Sequence, residues 1–152
     1  MRKVVLRWRI NSLQGAKELG KILEICDRIE ILAHLGFQDG GIVQLAEVKL
    51  KQGKDVNELS NLPSFEVLEI HEENEEGVLL SLLCHHTLAK SAIEFSNLHL
   101  QCPYSIDSEK GMELRVTGLT TAMRRSLNLL RLLLPPDKVS VITDKSKHVN
   151  GW

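Results

Sequence analysis

Cys84-His85-His86 and Cys102 are the residues whose types most readily support chemistry. Thiolate and imidazole together suit zinc or another borderline-soft metal. Cys84-His85-His86 falls where a strand is expected to meet a helix, and Cys102 closes a later expected strand. In a βαββαβ sheet these two strands run the same way with one strand between them, so their ends stand roughly 10 Å apart. Loops folding inward would then offer ligands from both to a single ion. The spacing departs from known zinc patterns: no Cys-x-x-Cys is present, and consecutive strand residues point to opposite faces. The competing reading is a packed cysteine beside two surface histidines in the first turn of a helix.

A second candidate is cationic. Arg124, Asn128 and Arg131 recur at i, i+4 and i+7 on the last expected helix, with Arg125 adjacent. They form a stripe opposite the leucines, suited to an anionic ligand or an acidic partner; a plain solvated helix face is the alternative. Arg7 and Arg9, flanking Trp8, make a weaker basic strand face. His99 shares an expected solvent face with Gln101 and is a candidate lining residue of a ligand groove. Cys26 falls on an apolar helical stripe, where a thiol acts as a small hydrophobe. His34 and His71 read as structural or solvated.

Other catalytic signatures are missing. The chain has no GxGxxG, no GxxxxGK[ST] loop, no HExxH and no GxSxG. This favours a binding module over an enzyme, and no cofactor is specified. The net charge of -1 gives no long-range field to gather nucleic acid. Three cysteines, an odd and sparse set, are no disulfide framework and fit a reducing cytoplasm. The apolar stretch from Leu127 to Leu134 is interrupted by Asn128 and Arg131 and is far short of a membrane span.

The elements that must position these residues follow from periodicity. Val4 to Ile10 alternates apolar and basic residues as a half-exposed strand; Leu13 to Cys26 carries one helical stripe. Arg28 to Phe37 and Ile42 to Lys51 are strands joined at Gln38-Asp39-Gly40-Gly41, where adjacent glycines suit positive φ. A capped helical turn over Asp55 to Leu59 precedes a strand from Phe65 to Ile70. The acidic run over 72–77 reads as a solvated linker. The order then restarts with a strand Val78 to Cys84, a helix Thr87 to Phe95 and a strand Leu98 to Cys102. A turn at 107–111, a strand Met112 to Thr117, a helix Thr120 to Leu134 stopped by Pro135-Pro136, and a strand Val139 to Thr143 complete it.

Each half thus reads strand, helix, strand, Gly-containing turn, strand, helix, strand. The expectation is an α+β chain of two tandem ferredoxin-like (ACT-like) βαββαβ units with antiparallel sheets. The first covers 1–72, an acidic linker 73–77, the second 78–144, and a tail 145–152.

Two stretches, Cys26 through His34, Gly40 and Gly41 to Leu50, and His86 through Cys102 and Gly111 to Ile142, carry a family likeness. They resemble the region ahead of the DNA-binding segment in archaeal regulators of the bacterio-opsin activator type. The likeness is one of rhythm and short phrases over most of the chain. It implies the sensor portion of a helix-turn-helix transcriptional regulator, with a small-molecule effector bound between repeated units or protomers of a homo-oligomer. Such regulators carry their DNA reader after this portion, and the tail from Lys145 to Trp152 is too short for one. DNA contact is therefore expected only through a separate domain, with a protein partner as another route and no membrane association. The runner-up is a metal- or redox-responsive domain using Cys84, His85, His86 and Cys102; a small enzyme on a ferredoxin-like scaffold is third.

Overall fold

A computed structural model describes residues 1–86, 89 and 97–142. Alternating apolar positions build the first strand, β1 (Arg2–Trp8), whose Val4, Leu6 and Trp8 are buried while Arg7 is exposed. Two short helices follow, α1 (Ile10–Gln14) and α2 (Lys17–Ile25). The single helix expected over 13–26 is thus interrupted at Gly15 and Ala16, and Cys26 opens the next strand instead of closing a helix. β2 (Cys26–Gln38) and β3 (Gly41–Leu50) form a long hairpin. Its positive φ angles fall on Asp39 and Gly40, not on the two adjacent glycines. An Asp-Gly pair suits a turn that needs two such residues.

A 3-10 helix, Val56–Asn61, is closed at its start by a reciprocal cap. The Asp55 carboxylate accepts from the Asn57 amide at 2.8 Å, and Glu58 accepts from the Asp55 amide at 2.7 Å. Asp55→Ala is expected to lower stability by about 1 kcal/mol, read as a fall of roughly 2–4 °C in melting temperature.

The remaining elements are β4 (Phe65–Asn74), β5 (Gly77–Cys84), β6 (Leu98–Leu100), β7 (Tyr104–Asp107), β8 (Gly111–Gly118), α3 (Thr120–Leu133) and β9 (Lys138–Ile142). The acidic run forms the end of β4 and its turn into β5. The helix expected over 87–95 lies, apart from Ala89, outside the described residues, as does the tail 145–152. No described helix is long and apolar enough to cross a membrane.

The pairing overturns the expected architecture. Instead of two tandem ferredoxin-like, ACT-like units, the strands form one nine-stranded antiparallel sheet in the order β4-β5-β3-β2-β7-β8-β1-β9, with β6 also on β8. β1 pairs β8 and β9, and β5 pairs β3 and β4. Each strand that was expected to open a unit therefore sits in the half of the sheet built by the other part of the chain. A period-2 pattern fixes which side chains face inward, but it carries no information on which neighbour a strand takes.

The helices cover one face. Val4, Leu6 and Trp8 stand opposite Val116, Leu114 and Met112, and these join Leu13, Leu19, Ile22, Met123 and Leu130 in one apolar cluster. The same cluster takes in Ile29, Ile31, Ala46, Val48, Leu80 and Leu82. The alternate positions Arg7, Glu113 and Arg115 lie on the opposite face in ion pairs of 3.4–3.5 Å.

Candidate functional site

β2 and β3 run past the centre of the sheet, and their register puts His34 opposite Gln44 while Ile31 faces Tyr104 of β7. The inward stripe of β3 reads Ile42, Gln44, Ala46, Val48, all buried. A lone amide in an apolar stripe requires a partner, because an unpaired buried polar group costs about 1–3 kcal/mol. Tyr104 supplies it: Gln44 Nε2 donates to the Tyr104 hydroxyl at 3.1 Å. His34 Nε2 lies 3.0 Å from the same oxygen, with the two rings 5.7 Å apart. On its other side His34 Nδ1 is 3.8 Å from Cys102 Sγ. The result is a continuous chain Cys102–His34–Tyr104–Gln44.

Burial governs the charge states along this chain. It pushes the Cys102 thiol up, against the opposing effect of the His34 backbone amide. It pushes His34 down, helped by the charge of His99. The Tyr104 hydroxyl is pushed up by burial and by the nearby thiols of Cys102 and Cys84, with the Gln44 hydrogen bond opposing. All three groups are consequently neutral near pH 7. Leu32, Leu98, Leu100 and His99 surround His34 and Cys102 on a groove of about 420 Å³.

The structure distributes the other sequence-derived candidates. Cys84 ends β5 at 2% exposure, paired with Ile42 and Phe65. The His85 amide donates to the Ser64 carbonyl at 2.7 Å. His86 stacks on Phe65 at 6.3 Å, and burial lowers its pKa, with Glu18 opposing. Cys102 sits with His34 instead of with this trio. Among the described residues no three or more His, Cys, Asp or Glu side chains are arranged to hold a metal ion. Cys26 is fully buried, and burial pushes its thiol up to about 12, so it behaves as a packed hydrophobe. His71 Nε2 bonds the Ser81 hydroxyl at 2.6 Å.

Arg124 and Arg131 are brought together with Asn128, as the helical spacing predicts. All three line a groove of about 190 Å³ between α3 and the sheet. The sequence pattern did not reveal Arg2, which joins them from β1. Among the described residues none of these three arginines forms a salt bridge. Its apolar floor includes Val4, Met123, Leu127 and Val141. The opposite sheet face carries a larger, open groove of about 690 Å³ containing Arg7, Arg9, Arg28 and Arg115. Acids accompany the cations there: Glu113 pairs Arg7 and Arg115, and Glu30 and Asp107 pair Arg28.

Gln44, Tyr104 and Arg2 go unmarked in the sequence reading, and His34 is marked there only as structural or solvated. Only Gln44 left a signal, as the single amide on an otherwise apolar alternation. No protein-family model matches the chain, and no curated protein or solved structure matches it either.

Proposed function

We propose that the protein is a regulatory module that binds a small effector bearing a phosphate or carboxylate in the groove between α3 and β1. The observation that carries this reading is the convergence of Arg2, Arg124 and Arg131 beside the Asn128 amide, with no carboxylate paired to any of them among the described residues. Guanidinium forks suit planar or tetrahedral oxyanions, and three cations left unpaired repel one another until an anion arrives. A groove of about 190 Å³ suits a charged head group with a short apolar extension over Val4 and Leu127.

The likeness to archaeal bacterio-opsin-activator-type regulators supports a signalling use of this binding, with DNA contact left to a separate segment. On this reading the chain works by occupancy and not by catalysis. An effector bridging α3 and β1 joins elements from opposite ends of the described chain, and its effect is a population shift in assembly or in a partner's affinity.

Inorganic phosphate and pyrophosphate are the probes that test this. Either is expected to raise the melting temperature of the wild-type protein, because only native-state binding stabilises by mass action. Arg124→Gln with Arg131→Gln is expected to abolish that rise while the unliganded melting temperature stays within roughly 2 °C, since both side chains are exposed. Wild-type binding by the double variant would remove the proposal.

A further inference from the structure

We propose that Cys102 is a site of reversible thiolation by low-molecular-weight disulfides, with His34 as its general base and Tyr104 as the group that orients His34. The inference is independent of the anion groove and rests on different residues.

Nucleophilic sites require a nucleophile, a base within reach and a third group that orients the base. All three are present. Cys102 Sγ lies 3.8 Å from His34 Nδ1, within the longer range of sulfur hydrogen bonds, and His34 Nε2 lies 3.0 Å from the Tyr104 hydroxyl oxygen. The tautomer competent for the step has Nδ1 free to accept the thiol hydrogen and carries its own hydrogen on Nε2, directed to the Tyr104 oxygen, which also accepts from Gln44 Nε2. Tyr104 thereby fixes which imidazole nitrogen faces the sulfur, and it stabilises the positive charge that His34 gains on accepting the proton.

The exchange balances without an outside oxidant, since the disulfide is itself the oxidised partner. Sγ attacks one sulfur of the disulfide as its proton passes to His34 Nδ1. The new S–S bond forms, the old one breaks, and the departing thiolate takes the proton from His34 and leaves as a thiol. A second thiol reverses the step. Cys102 opens on a groove of about 420 Å³ whose Leu32, Leu98 and Leu100 side chains accommodate the apolar part of such a reagent. The other two thiols are excluded by packing, at 0% exposure for Cys26 and 2% for Cys84.

Hydroxyethyl disulfide is the probe, with intact mass and peptide mapping as readouts on the folded wild-type protein. One adduct is expected, and it maps to Cys102. His34→Ala is expected to slow its formation by about 100-fold, the scale of lost general-base catalysis. Added imidazole is expected to restore part of that rate, which a merely structural role for His34 would not allow. Mapping needs no variant, so poor folding of His34→Ala leaves the site assignment testable. An adduct on Cys26 or Cys84 at the same rate overturns the site. A His34→Ala rate equal to wild type, or a slowed rate that imidazole does not raise, overturns the base.

Discussion

Replacing Trp8 by alanine is expected to lower the unfolding free energy by about 3–5 kcal/mol, the usual range for truncating a buried aromatic. Trp8 is 2% exposed, stands opposite Met112 across the β1–β8 ladder, and belongs to the main apolar cluster. Its indole also donates to the Leu134 carbonyl at 3.1 Å, tying β1 to the end of α3. Truncation therefore opens a cavity and removes the partner of a helix-end carbonyl. For a chain of this size the fall in melting temperature is roughly 6–20 °C. Trp8→Phe keeps most of the packing and loses only the donor, so a fall of about 1–2 kcal/mol is expected. The adjacent Arg7 is the control. Its side chain is 48% exposed, 3.5 Å from Glu113, and Arg7→Ala is expected to change stability by less than about 1 kcal/mol. Urea denaturation of the three variants checks the series; equal losses at positions 7 and 8 would contradict the facing of β1.

The second large effect is expected at Gly111. It has a φ of +82°, and a Cβ placed there would overlap the Trp8 carbonyl oxygen and lie 3.3 Å from the Arg9 carbonyl carbon. Alanine at this position meets two penalties at once. The left-handed backbone opposes a side chain by about 1–2 kcal/mol, and the clash is with backbone, which cannot swing aside. Gly111→Ala is expected to destabilise by at least about 3 kcal/mol. Gly40 has a similar φ of +78° with nothing within 4 Å of the added atom. Gly40→Ala isolates the first penalty and is expected to lose only about 1–2 kcal/mol. Thermal unfolding of the pair separates backbone strain from crowding, and equal losses would show that the Trp8 contact has no energetic weight.

Short-range features of the fold were legible and long-range ones were not. The alternation of β1, the placing of a hairpin turn within residues 38–41, the capped turn at Asp55 and the arrest of α3 before Pro135 each depend on residues within a few positions of one another. The positive φ angles of that turn nevertheless fall on Asp39 and Gly40 instead of on the two adjacent glycines. Strand order depends on contacts such as Leu6 with Leu114, and nothing local distinguishes that partner from another apolar strand of similar length. β5 illustrates the difficulty: Val78, Leu80, Leu82, Leu83 and Cys84 are all buried, which marks a central strand without naming its neighbours. The break between α1 and α2 was missed for a different reason. The apolar stripe continues through Gly15 in phase, while the backbone does not.

The candidate sites divide along the same line. Arg124, Asn128 and Arg131 share one helix face, so their spacing alone was enough to group them. Arg2 joins them only because β1 lies beside β9, a consequence of strand order. His34 and Cys102 are separated by 68 residues and meet through the β2–β7 pairing. Cys102 stands out in the sequence for its chemistry, but the companions expected there, Cys84, His85 and His86, follow from a βαββαβ strand arrangement that the pairing overturns. The actual companion, His34, reads as structural or solvated in the sequence, because a histidine inside a strand carries no mark of what lies across from it.

The crossing of β1 into the far side of the sheet also bears on synthesis. The ribosome makes β1 well before its two neighbours, which span Gly111–Gly118 and Lys138–Ile142. At about 5–20 residues per second the wait from Trp8 to Ile142 is on the order of ten seconds. Until β8 is made, Val4, Val5, Leu6 and Trp8 have no native ladder to join, and the other edge of β1 stays open until β9 follows. The earliest strand made is among the last to be placed, and the nascent chain carries a sticky apolar segment that a holdase or neighbouring polysome chain could capture before residue 142 emerges.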